Sequence, residues 1–487
     1  MRPKLSFLFL AAFSAIFCLA SVTTEAQIPS FAHVIVVIQE NRTPDNLFYF
    51  LCSSPYGSAA SCSAKPTGSQ YDIQTKNWYD KSAPGGIIQP GPIALNNNYD
   101  LGHKHSSFTT ICDQDKQGKC LMDGAASNNC APTSGKCPAN AALLYADNST
   151  GLLNPYLSIA TQYGFANYMF QTNQGPSFPA HQFLFGGTSA PSAADDALAT
   201  FASENVSPDV GTTVAGCIAL ATTTVDLITT DGETSKIYPC FEHQTLSDLL
   251  DAAGVSWKYY SGGYGSIWTA PNAINHICEP NQPTGGQCEG TEWLDNVVLN
   301  NSKILTDISK CKLAGVSWVI PSAANSDHAG YNSGGGPAWV ASIVNQIGNN
   351  KKCSDGEIYW DNTAILVVWD DWGGWYDHEP PTFLAQPQGD YQYGFRVPFL
   401  GVSAYTNAGY VNNDRQDFGS ILRFVEKNFG IAEGALGFAD SRATTDLTGF
   451  FNLAQKPRIF TQIPSPLDAD YFIHDKTPFG EPDNDED

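Results

Sequence analysis

The feature that most constrains this chain is the run Ala364–Trp369, which is uninterruptedly apolar and ends on two adjacent carboxylates, Asp370 and Asp371. So continuous a run, with β-branched Ile365, Val367 and Val368, reads as a strand buried on both faces, as in a parallel sheet. Gly373 and Gly374 then break the chain, and Asp377-His378 follows. Carboxylates at the carboxyl end of a buried strand lie where open α/β sheets bind ligands. Adjacent acids repel unless something positive holds them, and a hard metal ion is one such partner. The plain alternative is an acidic surface turn.

The pattern occurs a second time. His33–Gln39 (HVIVVIQ) is another short apolar strand, and it ends at Glu40-Asn41, followed by Arg42-Thr43-Pro44-Asp45. A helix cap or turn would also account for Glu40-Asn41. Two strands ending in oxygen ligands can meet, however, if they are neighbours in one sheet. Further strands are expected at 165–170, 255–260, 316–320 and 396–403, with helices at 154–163, 243–253, 337–347 and 418–429. Strands alternating with helices predict an α/β fold with a mostly parallel central sheet flanked by helices. Residues 191–234, rich in small side chains, read as loops. Residues 262–292 are aromatic and glycine-rich, and are expected to roof a pocket with Trp257, Tyr259, Tyr260 and Trp268.

Composition bears on compartment and partners. Arg2 and Lys4, an apolar run from Leu5 to Ala20, and small residues before Gln27 read as a secretory signal over 1–26. No later segment has the roughly 20 apolar residues that a membrane span needs, so no transmembrane segment is expected in the mature chain. Of thirteen cysteines, Cys18 lies in the signal. The remaining even number, none of it in CxxC spacing, predicts disulfide-tied loop insertions in a periplasmic or extracellular protein rather than a zinc site. The net charge of −23 excludes a nucleic-acid-binding surface. If the substrate is a phosphate ester, the positive charge that meets it must be local, which again calls for a bound metal. Residues 456–487 read as a Pro-rich acidic tail without a core of its own.

Candidate site residues lie on other segments as well. His103 follows Asp100 in Asp-Leu-Gly-His, in a chain with nine histidines. Ser177 is placed as the N-cap of a helix that has Pro179 in its first turn. Capping alone would explain a serine there, yet a helix N-terminus also offers free N–H groups to an anion. Asp327-His328 follows the strand at 316–320.

The segments IQENRTPDNLF (38–48), DLGH (100–103), GPSFPAH (175–181), VSWVIPS with SDH (316–328), WDDWGGWYDHEPP (369–381) and GFRVPFLGVS (394–403) resemble, in order, the motifs of the bacterial and fungal phosphoesterase family. That family comprises phosphatidylcholine-type phospholipases C and acid phosphatases and is related to the alkaline phosphatase superfamily. The resemblance implies an alkaline phosphatase-like catalytic domain over 27–455. It implies one divalent metal ion, its identity left open, held by Glu40, Asn41, Asp370, Asp371 and Ser177. Ser177 is then the nucleophile, with His103 and His328 sharing oxyanion stabilisation and proton donation. Asp327, His378 and His181 become supporting residues. His181 stands where many members carry Asn or Arg, and Asp371 where many phospholipases carry Glu. The expected activity is a serine-dependent phosphoesterase of acid phosphatase type. The alternative is a phospholipase C acting on phosphatidylcholine-like diesters, with a phospholipid as partner. A different class, a non-catalytic carbohydrate- or surface-binding protein, would use the exposed aromatics but would leave the oxygen ligands idle. A sulfatase is disfavoured because no Cys-x-Pro/Ala-x-Arg step accompanies Ser177.

Overall fold

The two apolar runs pair with each other. A computed structural model describes residues 28–207, 214–383 and 392–480; the expected export signal and residues 481–487 lie outside the described residues. Eight strands form the central sheet: β1 (His33–Gln39), β2 (Gly164–Ala166), β3 (Trp257–Ser261), β4 (Val297–Leu299), β5 (Val316–Val319), β6 (Thr363–Trp369), β7 (Phe399–Val402) and β8 (Tyr410–Asn412). Their order is β4-β3-β5-β1-β6-β7-β2-β8. Only β7 runs against the others. The expected mostly parallel α/β sheet is therefore present, and its central strands β1 and β6 are buried throughout.

Strand register decides where the site lies. β1 and β6 run side by side from His33 opposite Thr363 to Gln39 opposite Trp369. The residues just beyond, Glu40 and Asp370, thus leave the sheet at the same level. Side chains alternate faces along a strand. Trp318 shares a face with Val36 and Tyr259, and Gln39 shares the other with Trp369.

Four helices cover these faces or close the ends: α1 (Asn154–Gln162), α2 (Ser177–Gly186), α3 (Gly336–Gly348) and α4 (Phe418–Asn428). On one face, Tyr156 of α1 packs its ring 5.1 Å from Trp369 and accepts from Gln39 at 2.8 Å. On the other, Phe185 of α2 packs 5.1 Å from Trp318. Extending the alternation by one residue sends Glu40 and Asp370 to the α2 side.

Several sequence expectations are corrected. The stretch 191–234 is not all loop: Ala193–Ala197 is a helix, and Val225–Thr229 pairs with Gly232–Ile237 in a hairpin joined by Phe201–Ala202. Asp231-Gly232 is the turn signal that marks it, with Gly232 at φ 93°. The strand expected at 165–170 splits into Gly164–Ala166 and Met169–Phe170, because the side chain of Asn167 in between is committed to Asp72 and Asn413. Trp257, Tyr259, Tyr260 and Trp268, expected around a pocket, are all buried in the main core.

The twelve cysteines left after Cys18 form the six bridges Cys52–Cys62, Cys112–Cys120, Cys130–Cys137, Cys217–Cys240, Cys278–Cys288 and Cys311–Cys353. Five are local, with separations of 7 to 23 residues, whereas Cys311–Cys353 spans 42 residues and links the segment before β5 to the one after α3. The insertion before α1 adds a second, smaller core, in which Trp78 stacks on Tyr376 at 4.5 Å and closes over Trp372 and Trp375. The last segment docks on the main body: Ile463 and Phe472 are buried, and Phe472 packs 5.3 Å from Trp339. Among the described residues, no helix is long and apolar enough to cross a membrane.

Candidate active site

Glu40, Asn41, Asp370, Asp371, Ser177 and His181 all have zero solvent exposure. Their clustering follows from backbone geometry at the strand ends. Asn41 adopts φ 63°, which turns the chain sharply after β1, and its N–H donates to Asp370 Oδ1 at 3.1 Å. Asp371 N–H donates to the same oxygen at 2.7 Å. Gly373 is required by close approach: a Cβ there would lie 2.4 Å from the Asn41 carbonyl oxygen, at φ 60°.

Ser177 is not the N-cap. It is the first residue of α2, with Pro176 before it. The capping oxygen comes from far along the chain, as Asn205 Oδ1 accepts from Phe178 N at 2.8 Å. This frees the serine hydroxyl, whose Oγ lies 3.2 Å from Glu40 Oε2 and 3.3 Å from Asp371 Oδ2. One turn along the same helix, His181 Nε2 is 3.0 Å from Glu40 Oε1 and 3.8 Å from Asp370 Oδ2. Sequence had placed His181 among supporting residues; the structure brings it into direct contact with the carboxylates.

His103 and His328 approach from the opposite side, with ring centres 5.7 Å apart. His103 Nδ1 is 2.7 Å from the Leu101 carbonyl and His328 Nδ1 is 2.8 Å from that of Ala329. Those contacts place the Nδ1 hydrogens on carbonyls and aim both Nε2 atoms at the Asn41 amide, at 3.0 and 3.2 Å. Asp327, at φ 78°, shapes the corner before His328. Its carboxylate accepts from Tyr156 at 2.7 Å and Trp369 at 3.2 Å, and its carbonyl accepts from Arg42 Nη2 at 2.6 Å. Burial pushes the Asp327 carboxyl up to about 6, against the lowering effect of Tyr156 and Arg42.

The charge balance of this corner is unusual. Burial first, and then Asp370 and Asp371, hold the Glu40 carboxyl well above its ordinary range. Burial also drives His181 down to about 4, despite Asp370 nearby, so its ring is neutral. Among the described residues, Glu40 and Asp370 have no lysine or arginine within ion-pair range, and His181 is the basic side chain beside them. Asp370 Oδ2 is buried without a hydrogen-bond partner. The Asn41 amide has two settings. In one its oxygen faces Glu40 Oε2 at 3.2 Å and Asp370 Oδ1 at 3.3 Å, three acceptors together; in the other its NH2 donates to both. Converging acceptors with an orphaned carboxylate oxygen and no internal cation fit a divalent metal ion. Glu40, His181 and Asp370 can each point a ligand atom at one position.

His378, expected beside this site, belongs to a second buried cluster. Its Nδ1 is 2.7 Å from Asp45 Oδ2 and its Nε2 3.2 Å from Asp72 Oδ1. Arg396 completes the cluster, with Nε 2.8 Å from Asp377 Oδ1 and Nη1 3.0 Å from Asp72 Oδ2. Burial alone would lower the His378 pKa, but Asp45 and Asp72 outweigh it and raise it to about 10. Burial raises Asp377 to about 7 against the pull of Arg396. Asp45, Asp72 and Arg396 carry no site assignment from sequence; Asp45 and Arg396 lie inside the motifs, and Asp72 lies outside all of them.

A mostly parallel sheet with carboxylates gathered at its strand ends and a serine opening the adjoining helix places the site where α/β hydrolases bind ligands, and Glu40, His181 and Asp370 could hold a metal ion there. Residues 31–432 match the model of the Phosphoesterase family, and the chain belongs to that family. Non-hemolytic phospholipase C of Pseudomonas aeruginosa is 26% identical over 260 residues, covering 47% of this chain and 36% of its own. Phospholipase C A of Mycobacterium tuberculosis is 24% identical over 260 residues, covering 48% and 49%. Hemolytic phospholipase C of Pseudomonas aeruginosa is 21% identical over 468 residues, covering 86% and 56%. The chain thus spans 36% to 56% of the length of these curated relatives. Among solved structures, a protein of the alkaline phosphatase superfamily from Vibrio parahaemolyticus superposes with a TM-score of 0.33 and 11% identity, over 59% of this chain and 63% of that one. At that level the likeness adds nothing to the strand pairings above.

Proposed function

We propose that this protein hydrolyses phosphate esters with Ser177 as the nucleophile, and that its substrates are phosphodiesters of the kind cleaved by phospholipases C. The observation that carries the reading is the Ser177 hydroxyl, released from capping and held between Glu40 Oε2 and Asp371 Oδ2. The phospholipase C relatives support the diester alternative over the acid phosphatase expectation. Six disulfides support an exported protein.

A divalent ion held by Glu40, Asn41, Asp370, Asp371 and Ser177 would lower the hydroxyl pKa and neutralise charge on the phosphoryl oxygens. The residues do the rest. The carboxylates at 3.2 and 3.3 Å accept the hydroxyl hydrogen, and Oγ attacks phosphorus as the bond to the leaving oxygen breaks. His103 and His328, with Nδ1 fixed on carbonyls, present Nε2 to that side of Asn41. In the imidazolium form each also carries a hydrogen on Nε2: one donates it to a non-bridging oxygen, and the other transfers it to the leaving oxygen and becomes neutral. Water then releases the phosphoryl group from Ser177. A cavity of about 520 Å³, with Gly175, His105 and the rings of Phe183, Phe201 and Phe383 in its wall, adjoins the nucleophile turn and suits the organic part of an ester.

Ser177→Ala should abolish hydrolysis of p-nitrophenyl phosphorylcholine while leaving thermal unfolding nearly unchanged. Activity retained in this variant would remove Ser177 from the mechanism. The monoester reading has one observation in its favour, the complete enclosure of the site. Faster turnover of p-nitrophenyl phosphate than of its phosphorylcholine ester would establish it instead.

A further inference from the structure

His181 is arranged differently from a simple hydrogen-bond donor to Glu40. Its other ring nitrogen, Nδ1, faces the Tyr259 hydroxyl at 3.5 Å. That hydroxyl already gives its hydrogen to the Trp268 carbonyl at 2.7 Å, so it turns a lone pair toward the imidazole. Two lone pairs would oppose each other unless Nδ1 carries the hydrogen. A ring that carries its hydrogen on Nδ1 leaves Nε2 free to act as a ligand atom. This nitrogen then faces Glu40 Oε1 at 3.0 Å and Asp370 Oδ2 at 3.8 Å. The latter is the buried oxygen without a partner. Three lone-pair donors converge, each able to reach one common position. A histidine that donates one N–H to a neighbour while pointing the other nitrogen at carboxylates has the arrangement of a metal ligand.

We propose that His181 binds the divalent metal directly through Nε2, making the centre a mixed nitrogen–oxygen site that prefers a transition metal to magnesium or calcium; this rests on the metal-dependent reading above. Glu40, Asn41, Asp370, Asp371 and Ser177 supply oxygens alone, the ligand set of hard ions. An imidazole shifts affinity toward iron, nickel, copper or zinc. Tyr259 then acts as the positioning residue that fixes the tautomer through Nδ1.

The test uses the full chain, stripped of metal with a chelator and reloaded with Mn2+. Pulsed electron paramagnetic resonance of the native protein should show imidazole ¹⁴N coupling. The coupling should vanish in His181→Gln and survive in His103→Gln and in His328→Gln, which remove in turn the two imidazoles at the Asn41 amide. Competition titrations give a second readout that needs no variant: native protein should bind Zn2+ more tightly than Ca2+. In His181→Gln that preference should fall by roughly tenfold or more. Bound Mn2+ without imidazole coupling overturns the proposal alone, as does coupling that survives His181→Gln or a native preference for Ca2+. Native protein that binds no divalent ion overturns both this proposal and the reading beneath it.

Discussion

Two clusters of buried acids draw on the same two stretches of chain, the second adding Asp72 from a third segment, and they are neutralised differently. Glu40 and Asp45 lie on the turn after β1; Asp370, Asp371 and Asp377 lie on the turn after β6. Glu40 and Asp370 gather beneath α2 with Asp371 beside them, and among the described residues His181 is the basic side chain that Glu40 and Asp370 meet. Asp45, Asp72 and Asp377 gather around Arg396 and a protonated His378. Both clusters are equally buried. The second needs nothing from outside, because the chain brings its own cations. The first is left with negative charge in a medium where that is costly. Counting carboxylates therefore does not single out where a metal ion could bind; asking which of them meet no lysine or arginine among the described residues points to Glu40 and Asp370.

The largest effect should come from the first cluster. Asp370→Asn should remove bound metal and lower ester hydrolysis roughly a thousandfold, the upper end of what deleting one preorganised electrostatic partner costs. Metal analysis beside kinetics checks it, and an unchanged metal stoichiometry would break the ligand assignment. In the second cluster the loss should appear in stability instead. Arg396→Met leaves Asp72 and Asp377 buried without their partner and should cost about 3–5 kcal/mol in urea unfolding. A much smaller loss would mean that the acids there are neutralised by some other means.

What sequence could show divides along the same line. The strands and the acids at their ends were legible because continuous apolar runs and terminal carboxylates are local signals. Ser177 was legible as a helix start, but not the destination of its hydroxyl, since the capping role falls to Asn205, 27 residues away along the chain. His378 was drawn toward the metal site because it shares a motif with Asp370. Its partners Asp45, Asp72 and Arg396 come from three separate segments, and only the fold brings them together. The tautomer of His181 likewise depends on Tyr259, whose hydroxyl is oriented by Trp268.

A smaller effect separates the clusters by pH. The folded pKa of His378, about 10, lies above its ordinary 6.5. Protonation of this group therefore stabilises the fold fully below pH 6.5, and the contribution is lost as pH rises through about 10. Asp377 and Arg396 face the same ring and are common to both proteins in the comparison with His378→Gln. The difference in melting temperature between native protein and His378→Gln should be widest in mild acid and should close above pH 10. A difference that stays constant across that range would mean that His378 is neutral in the fold.

The smallest effect is also the most direct comparison, because it makes one chemical change in each cluster with metal absent. In the second cluster, Asp377→Asn takes away half of the paired contacts that hold Arg396 Nε and Nη2, at 2.8 and 3.0 Å, and should lower the melting temperature. In the first, Asp370→Asn keeps Oδ1 as acceptor for the N–H groups of Asn41 and Asp371. It replaces the partnerless Oδ2 with an NH2 that can donate to Glu40, and it removes one of the two neighbouring charges that hold the Glu40 carboxyl high. Metal-free Asp370→Asn should therefore be more stable than metal-free native protein, by about 1 kcal/mol, the worth of one pKa unit of relieved repulsion. Saturating Mn2+ should reverse the order, because an ion that binds only the native site stabilises by mass action. If the chelated variant instead melts below the chelated native protein, Asp370 is held by internal partners as Asp377 is, and the contrast between the clusters collapses.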